Sequence, residues 1–176
     1  MKVRTGFVSN SSSTAFLIFI QTALLPTSVD DVMNDIVGVT ADTVCTYPYM
    51  RHHVYTYRDV AEAIFDDMQS GDITDDVKAQ RAFFHDLPQM MDIVQHTYHV
   101  AVLPDTEQER FETRIDHINR VYRRKVLTEL FKRVEAGEFR VYRFEYGDES
   151  GRFYAMMEGG DHWDRLPWAV VRFSHH

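Results

Sequence analysis

Serine residues near the start of the chain and histidine residues at its end are the ones best suited to covalent chemistry. A polar run occupies positions 9–14, and the last two residues are both histidine. A serine hydroxyl beside a histidine is the minimal pair for nucleophilic catalysis, because the imidazole can accept the hydroxyl proton. The candidate catalytic residues are Ser11, Ser12, Ser13, His175 and His176. This pair can form only if the fold brings the two ends of the chain together.

The serine run also fits two simpler descriptions. Its hydroxyls can satisfy backbone groups within a polar turn, which is the commoner role of such runs. Successive backbone N–H groups and hydroxyls can instead form a nest that binds an anion, and Ser9 and Asn10 are then the candidate binding residues. The chain lacks a Gly-x-Ser-x-Gly elbow, so the catalytic hypothesis depends on geometry alone.

Acidic residues and histidines near the C-terminus form a second candidate site. Carboxylates and imidazoles can bind a divalent metal or transfer protons. Glu158, Asp161 and His162 are the candidate metal ligands, although their spacing matches neither a helical zinc motif nor an EF-hand loop. Solvated acids in turns explain the same pattern. We therefore predict no metal and no other cofactor.

A basic segment in the second half of the chain is the third candidate site. Arg120, Arg123 and Arg124 lie within about one turn of each other if this segment is a helix, and Lys132 and Arg133 follow. These side chains can contact phosphates or an acidic protein surface. A solvated helix face that pairs with acids elsewhere is the commoner explanation in a chain this acidic.

The composition limits the class of partner. The 176 residues include 27 acidic and 19 basic side chains, so the net charge is −8. Binding to nucleic acid is not expected except through a local basic patch, and no membrane association is predicted. A hydrophobic content of 44% indicates a globular protein, which we interpret as one domain spanning residues 1–176. The single cysteine, Cys45, is interpreted as a buried apolar residue and fits a reducing cytoplasm.

Strands at both ends of the chain must position the candidate residues. Residues 15–20 are all apolar, which indicates a central strand with both faces buried. Periodicity and capping residues predict helices near 29–37, 57–68, 77–85, 89–98 and 104–136, the last with Gly137 as its C-cap, and strands near 139–146, 152–157 and 168–173. We predict an α+β fold with a mixed or antiparallel sheet of about four strands, the first strand plus three C-terminal strands. The helical middle is expected to pack on one face of this sheet.

The opening segment resembles that of a family of uncharacterised bacteriophage and bacterial proteins. Residues 1–13 read Met-Lys-Val-Arg-Thr-Gly-Phe-Val-Ser-Asn-Ser-Ser-Ser, and family members begin Lys-x-Arg-x-Gly-Phe-Val-Ser-Asn-Ser-Ser-Ser before an apolar strand. The tail, residues 166–176, is similar to the ends of such chains. Thr14 and Ala15 stand where the serine run usually continues. The resemblance implies a phage-type accessory protein and supplies no catalytic residues.

These observations predict a cytoplasmic accessory protein that binds a protein partner, of host or phage origin. Four tyrosines are expected to be exposed and to anchor the contact: Tyr47, Tyr49, Tyr55 and Tyr57. One alternative is a hydrolase or phosphate-handling enzyme that combines the serine run with the C-terminal histidines or acids. Another is a virion or scaffold component with a symmetric assembly. The sequence leaves the partner, the substrate and the oligomeric state open.

Overall fold

The structure is a computed structural model that describes residues 13–45, 54–85, 91–93, 116–147, 157 and 162–175. The strands are β1 (Ser13–Gln21), β2 (Val44–Cys45), β3 (Tyr55–Thr56), β4 (Met91–Ile93), β5 (Phe139–Gly147) and β6 (Ala169–His175). The helices are α1 (Val29–Asp35), α2 (Tyr57–Gly71), α3 (Val77–His85) and α4 (Asp116–Glu135). The helices predicted near 29–37, 57–68 and 77–85 are confirmed, and so is the part of the long helix within the described residues.

A four-stranded sheet in the order β4-β6-β1-β5 forms the centre of the molecule, and every pairing is antiparallel. β1 pairs with β5 on one side and with β6 on the other, so that Leu17 lies between Arg143 and Val171. The predicted α+β class is therefore confirmed, and so is the position of the first strand inside the C-terminal group. This position follows from the composition of β1, which has no polar face to present to water.

The fourth strand comes from the middle of the chain. β4 pairs with β6, with Met91 opposite Phe173, so the short helix predicted over residues 89–98 is wrong at these positions. A three-residue strand has too few residues to show a period of two, and here the pairing partner determines its conformation. The strand predicted near 152–157 lies outside the described residues except for Met157, which is buried and helical, so the prediction is wrong at that position.

Helices cover both faces of the sheet, so the expectation of a single helical layer is wrong. The even-numbered residues Phe16, Ile18 and Ile20 belong to a core shared with α1 and α2. The odd-numbered residues of the same strand belong to a second core, shared with α4 and the start of α3. The reason is that a strand apolar on both faces needs cover on both, which one layer cannot supply.

Local signals fix where the helices begin and end. The N-cap Thr56 of α2 forms a capping box with Asp59, whose N–H donates to the Thr56 hydroxyl at 3.3 Å. α4 ends at Glu135, and the predicted cap Gly137 follows it with a φ of +78°. There the Gly137 and Glu138 N–H groups donate to the carbonyls of Val134 and Arg133, each at 2.9 Å.

A second, two-stranded ribbon precedes α2. β2 and β3 pair so that Cys45 is opposite Tyr55, and both side chains are buried. Cys45 is therefore an apolar core residue, as predicted. Tyr55 and Tyr57 are 6% and 3% exposed, so the expectation that they anchor a contact from the surface is wrong. Tyr47 and Tyr49 lie outside the described residues.

Candidate functional site

The two ends of the chain meet in the sheet, as the hypothesis of a serine–histidine pair requires. In the register of β1 and β6, Ser13 is opposite His175 and Thr14 is opposite Ser174. Directly opposed residues of an antiparallel pair have Cβ atoms about 4.5–5.5 Å apart. Ser9, Asn10, Ser11, Ser12 and His176 lie outside the described residues.

β5 brings a carboxylate to the same end of the sheet. Gly147 is opposite Ser13, and Glu145 is opposite Ala15, two residues further along the register. The guanidinium of Arg143 forms an ion pair with Glu145 and also donates to the side-chain oxygen of Gln80 on α3 at 3.0 Å. A base, a hydroxyl residue and an acid therefore lie on three neighbouring strands at one end of the sheet, with β1 between the strand of His175 and the strand of Glu145.

A phenol–carboxylate pair connects α2 to this end of the sheet from its other face. The buried hydroxyl of Tyr146 donates to Oδ2 of Asp67 at 2.5 Å. Desolvation raises the pKa of Asp67, although the hydrogen bond from Tyr146 opposes this effect. Burial, together with the charge of Asp67, raises the pKa of Tyr146 well above its usual value. The phenol therefore keeps its proton and acts as the donor. These two residues are 79 positions apart, and no sequence pattern links them.

His162, a candidate metal ligand, lies in an aromatic part of the core. Its side chain is 0% exposed and its ring centroid is 4.7 Å from that of Trp163. Trp163 stacks on Phe16 at 4.8 Å and donates its indole N–H to the Met157 carbonyl at 2.6 Å. Glu158 and Asp161 lie outside the described residues. Within the part of the chain that the structure describes, no group of three or more His, Cys, Asp and Glu residues could hold a metal ion.

The predicted basic segment is helical, as expected, because Arg120, Arg123 and Arg124 all belong to α4. Arg124 is exposed and Arg123 is partly exposed. Further along, Lys132 forms an ion pair with Glu129, and the guanidinium of Arg133 lies 5.8 Å from the ring centroid of Phe139. We call the five described basic side chains of this helix the basic surface: Arg123, Arg124, Lys125, Lys132 and Arg133.

An acidic surface, which the sequence analysis missed, covers the opposite side of the molecule. Arg58 is the one basic residue in α1 and α2, and its guanidinium joins the two helices by pairing with Asp30 and Glu62. The acidic surface consists of the carboxylates of these helices, of which Asp30, Glu62 and Asp66 are exposed and Asp31, Asp35, Asp59 and Asp67 are partly buried. The sequence does contain this charge separation, because the segment of α1 and α2 is acidic and the later segment of α4 is basic.

Exposed apolar side chains lie next to the acidic surface. The ribbon of β2 and β3 buries Cys45 and Tyr55, whereas Val44 on β2 and Val54, just before β3, are 47% and 76% exposed. The ribbon leads directly into α2, because Tyr57 and Arg58 donate their backbone N–H groups to carbonyls of the segment that precedes β2. Apolar and acidic groups therefore adjoin on one side of the molecule.

Three comparisons with known proteins found no significant similarity to this chain. A scan against family models found no match, and searches of curated proteins and of solved structures found no significant match. Among the described residues, none of the helices has the length and apolar character needed to cross a bilayer. The case for each candidate site therefore depends on its geometry and charge.

Proposed function

We propose that this protein acts by binding a protein partner and that the acidic surface of α1 and α2 makes the contact. The observation that supports this proposal is the concentration of seven carboxylates and one guanidinium on two packed helices. Protein surfaces usually intersperse both signs of charge, and a surface of one sign attracts partners of the other. The cognate surface is one rich in Arg and Lys.

The exposed valines beside the acidic surface favour a protein over a small cation as the partner. Val44 and Val54 give apolar area that a partner would cover, and charged residues around an apolar centre are the usual anatomy of a contact. Nucleic acid does not fit this surface, because phosphates and carboxylates repel each other. The phage-type origin stays a prediction from the N-terminal resemblance, and a reducing cytoplasm is the proposed compartment because the chain has one cysteine.

A charge-reversal variant tests the proposed contact. Glu62 and Asp66 are exposed and lie one turn apart on α2, so Glu62→Lys with Asp66→Lys changes the surface without touching a core. Wild-type protein is expected to capture a stoichiometric partner from a lysate of the host bacterium at physiological salt, and the variant to lose it. Asp75→Lys with Glu138→Lys is the matched control, since both residues are exposed and lie outside the acidic surface.

Two results would contradict the proposal. One is the absence of any stoichiometric partner from a lysate in which the protein is folded and soluble. The other is equal capture by the wild type and by the variant reversed at Glu62 and Asp66. Loss of capture in the control variant as well would show that the total charge, and not this surface, controls binding.

A second candidate function, a serine hydrolase, is supported by the register of Ser13 opposite His175. In such an enzyme the Ser13 oxygen would bond to an acyl or phosphoryl centre while His175 accepts the hydroxyl proton. The bond to the leaving group would break as His175 passes that proton to it, and water would then release the acyl or phosphoryl group from Ser13. Ser13 would then act as a nucleophile, and the serine run would be more than a polar turn.

A fluorophosphonate probe tests this second candidate directly. A nucleophilic serine oxygen would bond to phosphorus while fluoride leaves, and mass spectrometry would locate the label on Ser13. Ser13→Ala and His175→Gln are expected to abolish labelling, whereas Ser12→Ala keeps it. Unlabelled wild-type protein, or labelling that survives His175→Gln, would refute the hydrolase.

A further inference from the structure

The acidic surface has an oppositely charged counterpart on the same molecule. The basic surface of α4 carries five cationic side chains, and two acids, Glu129 and Glu135, lie between and beside them. Val121, Arg124 and Lys125 are exposed and lie three to four positions apart, so they share one face of the helix. This face therefore combines one apolar and two cationic side chains.

The two surfaces cannot meet within one chain, because the sheet lies between them. α1 and α2 pack on the core formed by the even-numbered residues of β1, and α4 packs on the core formed by the odd-numbered residues. The outer sides of these helices consequently look in opposite directions. Charges of the acidic surface therefore do not pair with charges of the basic surface within one chain.

We propose that a second copy of this chain is a partner of the acidic surface, docking through its basic surface. The inference rests on the proposed function of the acidic surface and names the partner. The argument is charge complementarity, with exposed valines on both sides of the contact: Val44 and Val54 near α2, and Val121 on α4. On α2 the matching strip is formed by Glu62 and Asp66, one helical turn apart.

This contact has a definite symmetry. Because two different surfaces meet, the interface is heterologous, and each added copy leaves one acidic and one basic surface open. Such contacts build rings or linear assemblies and do not stop at a two-fold dimer. Since the net charge of −8 opposes association, the assembly depends on the local contact and weakens as salt screens it.

The experiment measures the self-association of the purified protein, residues 1–176, by sedimentation velocity. At high protein concentration, the wild type is expected to form species larger than a dimer at about 0.05 M salt and to dissociate at about 0.5 M salt. Arg124→Glu with Lys125→Glu, and separately Glu62→Lys with Asp66→Lys, should each weaken association by on the order of tenfold or more. The variant with Asp75→Lys and Glu138→Lys should associate like the wild type.

Mixing the two reversed variants gives the sharpest result. The reversals change the net charge from −8 to −12 in one variant and to −4 in the other, so both remain acidic and bulk attraction does not drive them together. The unchanged acidic surface of one variant matches the unchanged basic surface of the other, and the two reversed surfaces are complementary as well, so the mixture should recover association. Circular dichroism of each variant establishes that it is folded.

Several outcomes would overturn the inference. These are a wild type that stays monomeric at low salt, association that neither reversal weakens, or a mixture that stays monomeric. If the wild type is monomeric and the acidic surface still captures a different protein, the inference fails and the proposed function stands. If neither association nor capture is seen, both fail.

Discussion

The hydrogen bond between Tyr146 and Asp67 gives the most quantitative prediction. Tyr146→Phe removes the hydroxyl that donates to Oδ2 of Asp67 at 2.5 Å and leaves the buried ring in place. A hydrogen bond to a charged group contributes about 1.5–3 kcal/mol, and because Asp67 is only partly buried we expect a loss of about 1.5–2 kcal/mol at pH 7. With an m value of about 2 kcal/mol/M, the urea midpoint falls by roughly 0.7–1 M.

The sign of the pH dependence follows from the pKa of Asp67. Desolvation raises this pKa in the folded protein, so the folded state binds the proton more tightly than the unfolded chain does. The contribution of Asp67 to stability is therefore fully present below its unfolded pKa and is lost as the pH rises through its folded pKa. Tyr146→Phe removes the hydrogen bond that lowers the pKa of Asp67. The loss of stability caused by this substitution should therefore become smaller as the pH falls towards 4 and Asp67 is protonated.

The assay is urea unfolding followed by circular dichroism at neutral and acidic pH, with Asp67→Asn as the reference background. The amide keeps an acceptor but has no charge, so Tyr146→Phe should cost only about 0.5–1.5 kcal/mol there, with no pH dependence. The reasoning is refuted if the cost is the same in both backgrounds, or the same at both pH values in the wild-type background.

Three further predictions concern the stability of the fold. A Cβ added by Gly71→Ala would lie 2.8 Å from the backbone carbonyl oxygen of Arg143. Unfolding measurements should therefore show a loss of stability of about 1–3 kcal/mol, whereas the same substitution at an ordinary helical position increases stability. Thr56→Ala removes one half of the capping box of α2 and should cost about 1 kcal/mol in thermal or urea unfolding. Leu17→Ala, at a fully buried central position, should cost about 2–5 kcal/mol by the same assays, whereas Leu24→Ala, 59% exposed, should stay within about 0.5 kcal/mol of the wild type.

The elements that the sequence specifies locally were predictable. Residues 15–20 are apolar on both faces, and this alone indicated a central strand between the C-terminal strands. Gly137 ended α4 as predicted, because a positive φ favours glycine. The meeting of Ser13 with His175 followed from the same strand order.

Two errors came from signals that were present and were not used. A strand with two apolar faces already demands helices on both, which the expectation of a single layer ignored. Tyr57 lies in phase with Val60, Ala61 and Ile64 on α2, so helical periodicity predicts that it is buried. It was instead predicted to be a surface anchor, because aromatic residues are enriched at protein interfaces.

Other features depend on contacts between distant segments and leave no local trace. β4 is a strand because β6 pairs with it, and its three residues contain no strand pattern. The contact of Tyr146 with Asp67 depends on how α2 lies across β5, which the close approach of Gly71 to that strand permits. Pairings of this kind are properties of the packed structure.

The division of the interior into two cores has a spectroscopic consequence. Both tryptophans of the chain, Trp163 and Trp168, belong to the core beneath α1 and α2. Tryptophan fluorescence therefore reports the unfolding of the core that packs against α1 and α2. It does not report directly on the core that packs against α4. Replacing Phe131, which meets Phe19 edge-to-face at 5.5 Å, with tryptophan would give the other half its own signal. If the unfolding curves of the wild type and of this variant had different midpoints, the two cores would unfold in separate steps.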